Sequence, residues 1–254
     1  METFLNYLKG DYATDFIHFL ICIISFKVAI KLRARHKNLA VFRIYFGVFI
    51  VLKLIVYYCY HVNETISSSK FGHAADYIFT IFEYGCFAYF FKKTFVSAAN
   101  KTLVNVVSSL FLLCSCWLMF YDSNFDINFG VDSTNKLFSV QSIGLLVLCI
   151  SYYVELFKSL PQKNIKNLPE CWVITGLTFF MLSTLPYSLL LNYIYYQHPS
   201  VTSQLFSIFY IFYILFFLMI IRAYLCKPET TSYSTSDTQL NSKPQSNTLE
   251  PILI

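Results

Sequence analysis

Seven long apolar segments, separated by loops that alternate between basic and nearly uncharged, constrain this chain more than any other feature. A membrane span needs about 20 mostly apolar residues in helical form. Segments 13–31, 39–61, 75–92, 102–121, 137–157, 171–193 and 203–225 meet that need. Helices are required because no water reaches the bilayer core to satisfy free backbone groups. The expected fold is therefore all-α: an integral membrane bundle of seven transmembrane helices.

The loops give the expected orientation. Thirteen of the nineteen lysines and arginines fall in the first, third and fifth loops and at the C-terminal end. Only Lys9, Lys70 and Lys136 fall on the other side, and Lys27, Arg43 and Lys53 lie within spans. The positive-inside rule then predicts the N-terminus outside and the C-terminus inside. Lys27 and Arg43 are near cytoplasmic ends and snorkel to the headgroups on this reading; Lys53 is too deep for that. The expected location is the cytoplasmic (inner) membrane, multi-pass, with the lipid bilayer as the main partner.

Composition agrees with this class. The chain is 56% hydrophobic and 13% charged, too apolar for a soluble core to be covered by its own polar surface. The net charge of +5 is no nucleic-acid signal, because the cations sit at membrane edges. The eight cysteines lie within or at the ends of apolar segments and form no CxxC, so they read as small buried apolar residues rather than disulfides. The first apolar segment follows Glu2 and Asp11, lacks a small-residue cleavage site, and reads as a span rather than a signal peptide. Two parts are expected: a transmembrane domain over 1–226 and a disordered, Ser/Thr-rich cytoplasmic tail over 227–254. The acidic outer segment 122–136 reads as a solvated connector, with a ligand-contact loop as the alternative. Asn63-Glu64-Thr65 fits a glycosylation sequon, which has no meaning in a bacterial host.

Ionisable residues within spans cost about 2.5–3.5 kcal/mol each at the bilayer centre on insertion scales, so they are the candidate functional groups. Glu83 lies mid-span in segment 3 and shares a helical face with Asp76 and Thr80. Lys53 shares a stripe with Tyr57 on segment 2, and a Lys53–Glu83 ion pair is expected from their apparent depth. Asp15 and His18 share a face of segment 1, and Gln141 and Glu155 one of segment 5. These faces predict a polar cavity open to the outside. Two readings stay open: a ligand pocket or proton path, or polar groups that only hold helices together. His18 has no second ligand at metal spacing beyond Asp15, so no metal and no cofactor are expected. Pro186 interrupts the hydrogen-bond ladder of segment 6 and is the candidate hinge.

The chain lacks HExxH, GxSxG and paired span aspartates, which argues against an intramembrane enzyme. It also lacks the marks of G-protein-coupled receptors and of microbial rhodopsins. Segment 3 ends in Phe91-Lys92-Lys93-Thr94 without an acidic-Arg-aromatic triplet, and segment 7 has neither proline nor lysine. Segment 3 (DYIFTIFEYGCFAYFFKK) and the junction into segment 6 (LPECWVITGLTFF) resemble an uncharacterised seven-helix family of Bacteroidota, similar to the membrane-embedded sensor regions of some bacterial histidine kinases. The family offers no established activity to carry over, and the leading expectation is a non-enzymatic sensor or signalling accessory protein. It would take an unknown small-molecule ligand, and with no kinase half in this chain it would pass its signal to a cytoplasmic partner. A small-solute or proton-coupled transporter is the competing expectation.

Overall fold

The computed structural model describes residues 12–32, 36–62, 68–121, 131–159, 165–197 and 199–226. Among them are seven long helices and no strand. They are α1 (Tyr12–Lys31), α2 (Ala40–Val62), α3 (Ser68–Thr94), α4 (Ala98–Tyr121), α5 (Val131–Ser159), α6 (Pro169–Gln197) and α7 (Pro199–Leu225). Single 3-10 turns, Lys37–Leu39 and Ile165–Asn167, lead into α2 and α6. Five helices contain stretches long and apolar enough to cross a membrane: Lys37–Val56, Ala98–Phe120, Ser133–Lys158, Pro169–Leu189 and Ile208–Leu225. By length and composition the chain is a helical membrane protein.

Each helix covers its expected apolar segment, save that Leu39 falls in the 3-10 turn before α2, and most run past it. The clearest case is α5, which starts at Val131, so residues 131–136 belong to a helix rather than to the outer connector. Apolar length marks only what lies in the hydrocarbon. The helix continues beyond it, through residue types such as Asp132 and Ser133 that favour a first turn. The sequon at Asn63 and the tail from Lys227 lie outside the described residues.

Hydroxyl residues are tolerated within the spans because they bond back to their own helix. Ser25 donates to the Ile21 carbonyl at 2.8 Å, and Thr184 to the Phe180 carbonyl at 2.7 Å. Such bonds leave no polar group unsatisfied in an apolar medium.

Helices α1, α2, α3, α5, α6 and α7 pack as a closed ring, and α4 lies outside it against α3 and α5. The outer faces are apolar, as lipid contact demands; on α4, Leu110, Leu113 and Trp117 are all exposed. The interior is aromatic. Tyr45, Phe87, Phe180, Phe216 and Phe217 are at most 1% exposed, and their rings meet mostly edge-on or tilted, such as Tyr45–Phe87 at 5.8 Å between centroids, with Phe180 stacked on Phe216 at 5.7 Å. In lipid the hydrophobic effect does not drive helices together, so packing contacts and hydrogen bonds carry association. Gly176 shows how close the packing is: a Cβ added there would stand 2.7 Å from Met219 Cβ on α7. This glycine belongs to the junction motif of segment 6, and its smallness lets α6 and α7 approach.

The end of the bundle that carries the basic loops is tied across elements. The Tyr224 hydroxyl donates to the Leu39 carbonyl at 2.6 Å, and Asn38 Nδ2 donates to Glu170 Oε1 at 2.9 Å. His36 Nε2 lies 3.0 Å from the Cys226 carbonyl. The Arg222 guanidinium sits 5.3 Å from the Trp172 ring centroid. Glu155 accepts from the Val96 and Ser97 amides at 2.8 and 3.0 Å and from Asn100, holding the start of α4. Glu155 therefore serves this basic end. It does not line a cavity with Gln141, because fourteen residues of helix, about 21 Å, separate them.

Candidate functional site

The site is built on Glu83, halfway along α3 and 2% exposed. Its Oε1 accepts from the Tyr45 hydroxyl of α2 at 2.7 Å and the Tyr213 hydroxyl of α7 at 2.6 Å. Its Oε2 accepts from Gln141 Nε2 of α5 at 2.9 Å. One carboxyl group thus joins four helices. Three neutral donors, each from a different neighbour, are what a buried carboxylate needs in place of water.

Lys53 is not one of those partners. Tyr45 is level with Glu83, and Lys53 lies eight residues further along α2, about 12 Å along the axis. Its ammonium sits 5.8 Å from the Phe49 ring centroid and 6.0 Å from that of Tyr210. The ion pair expected from loop counting gives way to a carboxyl held by phenols, with the cation placed above it. Depth counted from loop ends errs here because α3 begins at Ser68, seven residues before its apolar segment.

Lys53 and Glu83 nonetheless face one cavity of about 210 Å³, which His18, Asp76 and Thr80 also line. Five of the residues singled out from the sequence therefore meet at one place. Thr80 spends its hydroxyl on the Asp76 carbonyl at 2.8 Å, so it shapes the wall. Asp15 and Tyr57 lie on α1 and α2, and their side chains fall outside the described residues. Pro186 is exposed on α6, which continues as one helix through it, and its neighbours Tyr187 and Ser188 line the cavity. The cavity draws on the starting halves of α1, α5 and α7 and the finishing halves of α2 and α6, which all lie at the cation-poor end.

His18 is the least satisfied group there. It is 2% exposed, and neither ring nitrogen has a hydrogen-bond partner among the described residues. Aromatic rings surround it, with Tyr213 at 4.7 Å and Phe49 and Phe217 at 5.2 Å between centroids. The Thr134 hydroxyl on the facing wall likewise has no partner among the described residues. Polar atoms buried this way cost stability, which a purely structural core avoids.

The Glu83 cluster has a further chemical property. The Tyr45 and Tyr213 oxygens are 3.0 Å apart, so with Oε1 they form a triangle of hydrogen-bond edges. Two phenols supply two protons, and both go to an ionised carboxylate. A proton added to the carboxyl fills the third edge: Glu83 donates to one phenol, which donates to the other, which donates back. The same positions of the heavy atoms hold the group with or without a proton.

Gln141 was visible in the sequence as a polar residue on its span, but Tyr45 and Tyr213 were not. The chain has 20 tyrosines, most in apolar runs, and nothing in spacing separates two that bond a carboxylate from the rest. Among the described residues no group of three or more His, Cys, Asp or Glu is placed to hold a metal. Among the described residues no cysteine forms a disulfide. No protein-family model matches this chain, and neither a curated protein nor a solved structure does.

Proposed function

We propose that this protein is a non-enzymatic sensor or signalling accessory of the cytoplasmic membrane, with seven spans and the N-terminus outside. A small ligand binds in the cavity at the cation-poor end, and the Glu83 cluster couples its occupancy to the rest of the bundle. The observation that carries this reading is the position of Glu83. It borders the cavity and also bonds α2, α5 and α7 from α3. A ligand that contacts Lys53 or His18 shifts helices that share this one carboxyl. Movement then reaches the basic end, where a cytoplasmic partner docks on the cationic loops.

The chain contains two tryptophans, and Trp172 sits at the basic end against Arg222. In a Trp117→Phe background, Trp172 alone reports on that end. A panel of small carboxylates, amines and sugars is screened by thermal stabilisation of the protein in nanodiscs. A stabilising compound is expected to change Trp172 emission when Glu83 is present and to leave it unchanged in Glu83→Gln. Equal responses in both proteins remove the cluster from the coupling path. A reporter fused to Ile254 tests orientation, and activity outside the membrane overturns it.

A second reading is a proton-coupled transporter, and the proton capacity of the Glu83 triangle favours it. Lys53 on α2 and Asp76 on α3 line the same cavity as Glu83, so their charges bear on the proton's binding. Solute uptake into proteoliposomes driven by a pH gradient, and abolished by Glu83→Gln, supports transport. Binding without flux supports sensing.

A further inference from the structure

A second hollow lies on the membrane side of the first. It is a groove of about 750 Å³ between α4, α5 and α6, walled mainly by Leu113, Trp117, Leu118, Val140 and Ile143. Ser188 of α6 lines both this groove and the polar cavity. Its hydroxyl lies 2.8 Å from that of Ser139 on α5, and this pair is the partition between the two spaces. Ser188 also donates to the Leu185 carbonyl at 3.0 Å, in the turn that contains Pro186. Proline leaves the Leu182 carbonyl without its ladder donor, so α6 is weakest at the partition.

The two spaces differ in chemistry. The inner one presents the Lys53 ammonium and two buried groups, His18 and Thr134, that lack a hydrogen-bond partner among the described residues. The outer one offers mainly hydrocarbon walls, with Lys136 at its rim as the one charged lining residue, and faces outward from the bundle. A water-soluble solute satisfies only the first, and an ordinary lipid chain satisfies only the second.

We propose that the two spaces form one site for a long-chain carboxylate amphiphile, which arrives from the bilayer between α5 and α6. Its carboxylate sits at His18 and Lys53, and its acyl chain lies in the groove beside Trp117 and Ile143. The Ser139–Ser188 pair parts to admit the chain. This rests on the reading that the polar cavity binds a ligand, and it names the ligand's class and its route. It also gives Pro186 a role, as the point where α6 yields.

The test uses the full chain in nanodiscs with a palmitic acid analogue carrying a diazirine in its tail. On irradiation, saturable labelling is expected in residues 113–118 and 140–143. Palmitate competes with it and butyrate does not. Lys53→Met weakens saturable labelling about tenfold, the loss expected for one charge-assisted hydrogen bond. Ser188→Phe blocks the partition and abolishes it. Ile143→Trp, on the lipid-facing wall where extra bulk is tolerated, abolishes it without relying on a change in the core. Labelling that does not saturate, or that spreads equally to Leu110 and Met119, overturns the proposal. If butyrate stabilises the wild type and not Lys53→Met while palmitate labelling stays unsaturable, the polar cavity is a ligand site but not for an amphiphile. If neither compound binds, the amphiphile proposal fails, and the cavity reading fails with it only when no amine or sugar of the panel stabilises the protein either.

Discussion

The two ends of this bundle are built from the same residue types to opposite effect. At the basic end most polar groups reach across elements and find partners, such as Tyr224 with Leu39, Asn38 with Glu170 and Glu155 with the start of α4, while Arg43 Nε and the Thr94 hydroxyl have none among the described residues. At the cation-poor end, polar groups surround a cavity, and His18 and Thr134 have no partner among the described residues. Glu83 lies between the two ends. The difference shows which polar residues hold the fold and which are kept at a cost. A satisfied buried group supports stability, whereas an unsatisfied one lowers it and persists for another reason.

Substitutions that break or sharpen this contrast follow in order of expected size. Glu83→Leu strands the donors of Tyr45, Tyr213 and Gln141 together. It is expected to cost about 3–5 kcal/mol, measured by thermal unfolding of the purified protein. Glu83→Gln retains an acceptor for the phenols, and the Gln141 amide can turn to meet the new NH2, so the loss is expected to be about 1 kcal/mol. A Glu83→Leu protein as stable as wild type shows that the cluster does not bind the helices together.

Gly176→Ala places a methyl 2.7 Å from Met219 Cβ. Forced separation of α6 from α7 is expected to cost about 1–3 kcal/mol in the same assay. Tyr224→Phe removes the hydroxyl's bond to the Leu39 carbonyl at the basic end, for about 1 kcal/mol. His18→Phe is the opposite case. It replaces two unpartnered nitrogens with a ring suited to its aromatic surroundings, so stability is expected to hold or rise by about 1 kcal/mol. Ligand-induced stabilisation should then be lost. If His18→Phe destabilises as much as Tyr224→Phe, the histidine is structural and the contrast between the ends collapses.

Much of the fold was legible in advance. Apolar runs of span length appear as helices in all seven cases, because in hydrocarbon a backbone has no other local way to bond its own groups. The site was legible in part. His18, Lys53, Asp76, Thr80 and Glu83 stand out as polar residues in apolar runs, and the cavity collects all five. Their pairing was not legible. Lys53 and Glu83 invite an ion pair by charge, yet the carboxyl bonds two tyrosines and a glutamine from three other helices. Likewise Glu155 resembled Gln141 in the linear pattern and lies at the other end of the bundle.

What the sequence determined by itself is local: which stretches are helical, which end collects cations, and which spans carry a polar group. Each follows from one segment and its solvent, so no other segment needs to be known. The tertiary structure alone decided which tyrosines meet Glu83, that Lys53 stands above it, and that one serine lines both hollows. Those outcomes depend on the rotation and axial offset of one helix against another. A shift of one residue turns a side chain by about 100° and moves it 1.5 Å along the axis, and no linear pattern records that offset.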